Sequence, residues 1–407
     1  MKNVLLLIPT QTYRAQDFIR GAQALGVNLI VASQKQQAMH RQMKQRTMVV
    51  NMDSPEIGAS QIIEAAKQTS IDAIVSVDDK GLKTAALACQ ELGLRHISLE
   101  SAGFVQDKIS MRQKLRTVEI TQPLMTTYLP GENLSEKVSE IGGFPVVSKP
   151  ATLSGSIGVI RANSHLELAA AVESTLAIQI NHGCSPRSPI IIEQYLPGAE
   201  YAVDAIISND SLKLLAFFEK PTPLVGPYFA ESIYITPAQL DNRTQHTALE
   251  MIDRARRGLE IKTGPIHAEI RIDDLGRIYL IEIAGRSIGG RCSRAIPFKG
   301  DVNLEELILA EALEIELPHY SLENQASGVF MMPVPKAGNL KSIAGLDAAR
   351  KVPWIVSIDI AATIGADVLP IPYDCQYLGF IFAKAPSAKV AQNALEQAHK
   401  LIELEIS

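Results

Sequence analysis

Short apolar runs separated by amphipathic stretches dominate the N-terminal part of the chain. Residues 4–8 are continuously apolar, residues 15–25 carry helical periodicity, and residues 28–32 return to a strand pattern after Gly26. A third apolar run spans residues 71–77, and residues 80–92 read as a helix closed by Gly93. Brief apolar strands alternating with helices predict a parallel sheet in doubly wound α/β layers. In such sheets ligands sit beyond the carboxyl ends of the strands, which directs attention to residues 9–13 and 76–80, although ordinary polar loops would look the same. No GxGxxG follows the first strand, so a dinucleotide site is disfavoured.

The pattern then becomes mixed α+β. A turn signal at Gly142-Gly143-Phe144-Pro145 leads into a strand over 145–149, a loop of small residues and a helix over 166–177. Residues 181–189 resemble a linker, and strands follow at 190–193, 201–208 and 212–219, then a helix over 245–259 and a hairpin. From about residue 328 strand, helix and strand patterns recur, ending in a predicted helix over 388–404. No internal repeat or low-complexity tract interrupts them.

Length and charge narrow the options. At 407 residues the chain exceeds what one hydrophobic core usually serves, so two to four domains are expected. A formal charge of −5 gives no general attraction to nucleic acid or anionic lipid, and neither is an expected partner. Cys89, Cys184, Cys292 and Cys375 are too scattered for a disulfide framework or a CxxC metal site, and are expected to be buried, reduced thiols. The apolar run near Met1 is too short for a secretory leader, and no stretch approaches the ~20 apolar residues that span a bilayer. A cytoplasmic protein is expected.

Two features carry chemistry. In Lys149-Pro150-Ala151-Thr152-Leu153-Ser154-Gly155-Ser156-Ile157-Gly158, a strand ends in a lysine and a Ser-Gly-Ser-x-Gly loop follows. Glycines let backbone amides approach phosphate oxygens, Ser154 and Ser156 add donors, and Lys149 supplies a point charge. Taken alone, such a loop is more often a plain connector. It is not a Walker A loop, because the lysine precedes the glycines, so a metal site must lie elsewhere.

The second feature is the hairpin around Asp273-Asp274-Leu275-Gly276. With Ile272 paired to Arg277, Ile266, Ala268, Ile270, Ile272, Tyr279, Ile281 and Ile283 share a core face. The other face carries His267, Glu269, Arg271 and Glu282, and extends to Ala284 and Arg286. Glu269 and Glu282 then become diagonal neighbours. Two carboxylates about 5 Å apart repel by roughly 3 kcal/mol at an effective dielectric of 20, which favours a cation between them. Mg²⁺ takes carboxylate and phosphate oxygens together. The competing reading is a solvated face neutralised by Arg271 or Arg286, and a one-residue slip would separate the carboxylates. His267 reads as a supporting residue rather than a ligand.

In order and spacing these motifs resemble the ATP-grasp superfamily. Gln106-Asp107-Lys108 with Met111-Arg112 resembles the start of its nucleotide-binding domain, and Lys149 with Ser154, Gly155, Ser156 and Gly158 is similar to its second nucleotide lysine and mobile phosphate-covering loop. Glu193-Gln194-Tyr195-Leu196-Pro197-Gly198-Ala199-Glu200 is similar to the hinge that holds adenine, with Glu200 in the place of the ribose-binding glutamate. Glu269 and Glu282 match the paired metal ligands, and Arg286 the arginine that steadies the transferring phosphate. Glu219-Lys220-Pro221, Gly226-Pro227-Tyr228-Phe229-Ala230-Glu231 and Gly264-Pro265-Ile266-His267-Ala268-Glu269 look most like the L-amino-acid ligase, dipeptide-synthesising branch.

The resemblance implies an ATP-grasp fold: an N-terminal α/β domain over 1–105, an ATP-grasp domain over 106–317 with two subdomains hinged near 190–200, and a small C-terminal α+β domain over 318–407. It implies ATP and one or two Mg²⁺ ions, with Mn²⁺ a possible substitute. It further implies a small-molecule carboxylate and an amine, both amino acids, joined through an acyl phosphate with release of ADP and phosphate. Lys108 and Lys149 would hold phosphates, Arg286 would stabilise the transferring group, Arg294 is the candidate for a substrate carboxylate, and Glu231 could meet a substrate ammonium. The usual Glu-x-Asn-x-Arg reads Glu282-Ile283-Ala284-Gly285-Arg286 here, which puts full two-metal occupancy in doubt. A biotin carboxylase-like or purine-pathway ligase would share the same ATP residues, and a nucleotide-binding regulator without turnover is the non-catalytic alternative. Oligomeric state is not readable, homodimers being common among soluble enzymes.

Overall fold

The computed structural model describes residues 1–10, 12, 14–35 and 47–407. Positions 11 and 13 of the predicted ligand segment therefore lie outside the described residues. The apolar runs of the N-terminal block form a four-stranded parallel sheet ordered Thr47–Val49, Asn28–Ser33, Asn3–Leu7, Ala73–Ser76. Val4, Leu5, Leu6 and Leu7 are almost fully buried because both faces of that sheet are covered. The helix Ala15–Leu25 ends where predicted, with Gly26 at φ 63°, and Leu82–Leu92 ends at Gly93 with φ 67°. The strand Thr47–Val49 and the helices Pro55–Ala66 and Leu99–Gln106 have no counterpart among the predicted elements.

Two further sheets build the middle of the molecule. Met125–Tyr128, Ile190–Gln194, Val146–Pro150 and Ile160–Ala162 form an antiparallel sheet backed by the helix His165–Asn181. An eight-stranded antiparallel sheet runs in the order Ile278–Ala284, Gly264–Ile272, Ala199–Ser208, Ser211–Lys220, Ile233–Thr236, Ala326–Pro333, Tyr377–Ala385, Ile355–Ile360. Its last three strands come from the C-terminal block, so the sheet continues across the 317/318 boundary without a break. The C-terminal block adds a three-stranded sheet of Asp367–Val368, Gly338–Ala344 and Glu403–Ile406.

That last strand corrects the predicted helix over 388–404. The helix is Ala388–Lys400, and Glu403–Ile406 is extended. Glu403, Leu404, Glu405 and Ile406 alternate with period two, and Ile406 is buried against the sheet, so the strand pattern wins once the helix face is exhausted. Among the cysteines, Cys89 and Cys292 are buried as expected, whereas Cys184 and Cys375 are only partly so; all four are free thiols.

The N-terminal sheet is fastened to the rest by helix–helix contact. Ala15–Leu25 packs on Leu304–Ala312, whose Asn303 side chain caps the Glu306 amide. Gly21 makes this approach possible, because a Cβ there would lie 2.8 Å from the Glu306 backbone nitrogen. Gly→Ala inside a helix ordinarily stabilises by about 0.5–1 kcal/mol. Here the sign should invert: G21A is expected to cost roughly 1–3 kcal/mol by overpacking, read as a lower urea midpoint.

Candidate active site

One cavity of about 670 Å³ lies where the three blocks meet. Pro9, Thr12 and Asp78 line it from the N-terminal sheet, the lysine- and glutamate-bearing strands form its floor, and Ala361, Thr363, Cys375 and Tyr377 close it from the C-terminal block. The placement of Asp78 beyond the strand Ala73–Ser76 agrees with the rule that ligands gather at carboxyl ends of parallel strands.

The cationic side of the cavity is built from two short segments. Asp107 caps the helix Lys108–Arg116 by accepting the Ile109 amide, which sets Lys108 as the first helical residue. The Lys108 ammonium donates to the Leu153 carbonyl at 2.6 Å and stands 3.4 Å from Glu282. Lys149, only 4% exposed, donates to Glu193 Oε1 at 2.6 Å, and Arg112 reaches Glu193 Oε2 at 3.2 Å. Burial opposes ionisation of Glu193, yet Lys149 and Arg112 hold its carboxyl below the usual range. Lys149 is pushed down by burial first, and Arg112 and Lys108 push the same way against Glu193. Positive charge thus exceeds what the local carboxylates neutralise, a surplus that a polyanion would relieve. Ser154, Gly155 and Ser156 line the cavity above these lysines, with Gly155 and Ser156 both left-handed at φ 66° and 59°. Gly158 is not in the lining; its amide donates to the Pro372 carbonyl at 2.8 Å.

The hinge residues Glu193, Gln194, Tyr195, Leu196 and Glu200 all line the same cavity. Arg161 stacks 4.0 Å from the Tyr195 ring centroid, and Arg271 donates to the Leu196 carbonyl at 2.6 Å. Gly198 is required there, since a Cβ at its φ of 116° would lie 2.2 Å from the Ile272 carbonyl oxygen.

The acidic side centres on a lysine to which the sequence reading gave no role. The Lys220 ammonium donates to Glu200 Oε1 at 2.7 Å, to Glu269 Oε1 at 2.9 Å and to Glu231. Burying an ammonium costs several kcal/mol, and a unit pair at 4 Å returns only about 4 kcal/mol at an effective dielectric of 20, so one carboxylate would barely offset the loss. Three do, and burial notwithstanding, the Lys220 pKa is held well above the ordinary lysine value. Glu200 Oε2 also accepts from Arg271 Nε at 2.8 Å, and Tyr234 donates to Glu231 Oε2 at 2.7 Å. His267 sits between Asp204, 3.2 Å from Nδ1, and Glu269, 3.5 Å from Nε2. Glu200, Glu231, Glu269 and Asp204 face Lys220, Arg271 and a protonated His267, so this side of the cavity keeps one carboxylate charge in excess.

The hairpin corrects the expected register. Ile272 pairs with Ile278, not Arg277, and a bulge at Ile281 shifts the ladder between Ile270 and Glu269. Without it Glu269 would face Ile281; with it Glu269 and Glu282 stand directly opposite rather than diagonal. The slip also exchanges faces: Leu280 is fully buried and Ile281 lines the cavity, while Tyr279 pairs with Arg271. The bonds that reach Glu269 arrive at Oε1. Its second oxygen and the Glu282 carboxylate are hard oxygen donors on the cavity wall beside two lysines, a set that fits Mg²⁺ shared with phosphate. Ala284, opposite His267, offers that ion nothing.

Arg286 lines the cavity and is ion-paired with Asp79 at 2.9 Å. Arg294 lies outside the lining: the turn Cys292–Ala295 directs it to Asp17 at 2.8 Å and Asp359 at 2.6 Å, where it ties the N- and C-terminal blocks together. Lys220 and Asp204 were not assigned from sequence, and Asp79 was reached only as part of the segment 76–80. A lysine closing an apolar strand reads as a solvated end, and only the fold shows three acids converging on it.

Comparison with known proteins accords with this geometry. Residues 19–96 match the ATP-grasp N-terminal domain, residues 142–295 the ATP-grasp domain, and residues 330–407 the L-amino acid ligase C-terminal domain 2. The chain therefore carries an ATP-grasp domain within an ATP-grasp fold, with the N-terminal and C-terminal domains that accompany it. Its fold is similar to that of an L-amino acid ligase from Bacillus licheniformis, with a TM-score of 0.86 at 22% identity over 100% of this chain and 99% of that one. It is also similar to N5-carboxyaminoimidazole ribonucleotide synthetase from Thermotoga maritima, with a TM-score of 0.76 at 17% identity and full coverage of both. Alanine–anticapsin ligase from Bacillus subtilis is 26% identical over 67% of this chain, which spans 61% of that protein's length.

Two outcomes are expected. K220M removes the shared cation from one buried and two half-buried carboxylates and should destabilise by about 3–5 kcal/mol in chemical denaturation. Burial alone would lower the His267 pKa, but Asp204 and then Glu269 raise it to about 9. A raised folded-state value contributes stability that is complete below 6.5 and lost as pH rises towards 9. The urea midpoint should fall across that interval, and fall less in H267Q, which cannot titrate.

Proposed function

We propose that this protein is an ATP- and Mg²⁺-dependent carboxylate–amine ligase that joins two amino acids through an acyl phosphate. The observation that carries this reading is the convergence of Lys108, Lys149, Glu269, Glu282 and Arg286 on one cavity that also holds Glu231. A nucleotide fits that charge pattern: the surplus cations meet phosphates, the hinge from Glu193 to Leu196 meets adenine, and Glu200 meets ribose. Bound there, Mg²⁺ would neutralise β- and γ-phosphate oxygens, and Glu269 and Glu282 are the residues that would hold it.

Phosphoryl transfer asks for positioning and charge neutralisation rather than covalent work by the protein. A substrate carboxylate oxygen attacks the γ-phosphorus while the bond to the bridging oxygen breaks and ADP leaves. A neutral amine then attacks the acyl carbon, and inorganic phosphate departs as the amide forms. Arg286 stabilises the transferring group and Lys149 the departing phosphates. Glu231 receives the ammonium of the substrate that is activated, and the loop over residues 154–158 excludes water that would hydrolyse the acyl phosphate.

The likeness to an L-amino acid ligase over the whole chain and the L-amino acid ligase C-terminal domain support amino acids as substrates over bicarbonate or a purine precursor. Phosphate release measured over pairs of amino acids should exceed the ATP-only background for some pairs, and E282Q should reduce it by about 100-fold. No release with any amino-acid pair, or E282Q equal to wild type, would sink the proposal.

A further inference from the structure

Three consecutive residues after the second glutamate are held from outside the strand that delivers them. Asp79 Oδ2 accepts from Arg286 Nε at 2.9 Å, and Arg286 Nη1 donates to the Ser287 carbonyl at 2.9 Å. Arg14 Nη1 donates to Ser287 Oγ at 2.7 Å and to the Ile288 carbonyl at 3.0 Å, while its Nη2 is anchored by Glu305 at 2.6 Å. Asp204 Oδ1 accepts the Ile288 amide at 2.9 Å. Both Asp79 and Arg14 belong to the N-terminal block.

Asp79 is itself fixed. It opens the turn Asp79–Gly81, in which the Asp78 side chain accepts the Lys80 amide at 3.2 Å. Ser76 Oγ donates to the Asp78 carbonyl at 2.7 Å, and the Gln106 amide donates to the Asp79 carbonyl. Asp79 Oδ1 is buried with no hydrogen-bond partner among the described residues.

We propose that Asp79 is a positioning residue for phosphoryl transfer, setting the direction in which Arg286 presents its remaining nitrogen to the terminal phosphate. A guanidinium is a rigid planar fork, so engaging Nε and Nη1 fixes the plane and leaves Nη2, which has no hydrogen bond among the described residues, at a defined angle. Arg14 holds the backbone beneath it. The N-terminal block thus completes the site by orientation. This rests on the nucleotide-binding reading above, but not on which acids are joined.

The test is calorimetric titration of the full-length protein with ADP and with a non-hydrolysable ATP analogue, both with Mg²⁺, in wild type, D79N, R286K and the double variant. The preference for triphosphate over diphosphate should drop by about tenfold in each single variant, the scale of one charge-assisted hydrogen bond. It should drop no further in the double, because both act through one contact. ADP affinity should stay within about threefold throughout, since the contact is to the phosphate ADP lacks. Losses that multiply, or a D79N variant with wild-type preference, would overturn the assignment. D79E supplies the same comparison should D79N not fold. The ratio involves no amide formation, so it stands apart from the amino-acid screen.

Discussion

The site depends on how a buried ammonium and three carboxylates share one small volume. Lys220 is 6% exposed, and without Glu200, Glu231 and Glu269 around it the ion would not remain charged there. Each acid is delivered by a different strand or loop, so the cluster fixes the relative placement of Ala199–Ser208, Ser211–Lys220 and Gly264–Ile272. The same contacts leave each acid a separate employment: Glu200 towards Arg271 and the hinge, Glu269 towards His267 and the cavity wall, Glu231 towards Tyr234. The carboxylate excess on this side contrasts with the cation surplus around Lys149. On the proposed function, phosphates would meet that surplus, and the acidic side would meet Mg²⁺ and a substrate ammonium.

Much of this was legible in the chain. The N-terminal strands and helices follow from uninterrupted apolar runs and from Gly26 and Gly93 at helix ends, where local signals decide the structure. The paired acids were found because strand parity places side chains by simple counting. Counting also failed there: a bulge adds one residue to one strand, and nothing in Tyr279-Leu280-Ile281-Glu282 announces it. The prediction of neighbouring carboxylates survived because the bulge restored what the register shift would have removed.

Pairings between residues far apart in the chain were invisible. Asp79 and Arg286 are separated by 207 positions, and Arg14 and Glu305 by 291. No periodicity links such pairs, and even where Arg286 could be assigned by resemblance, nothing in the chain joined it to Asp79. Arg294 shows the converse. It was the candidate for a substrate carboxylate, whereas Asp17 and Asp359 claim it for joining blocks.

The continuous eight-stranded sheet has a consequence for how such a protein can be cut or recombined. Ala326–Pro333 is hydrogen-bonded along the whole of Ile233–Thr236, a strand buried at every position. Severing the chain near residue 317 would strip that strand of its neighbour and leave a bare apolar edge, the geometry that templates self-association. Exchange of the tail between relatives would have to carry a matched seam with it, so this sheet behaves as one inherited piece even though sequence families divide it into two.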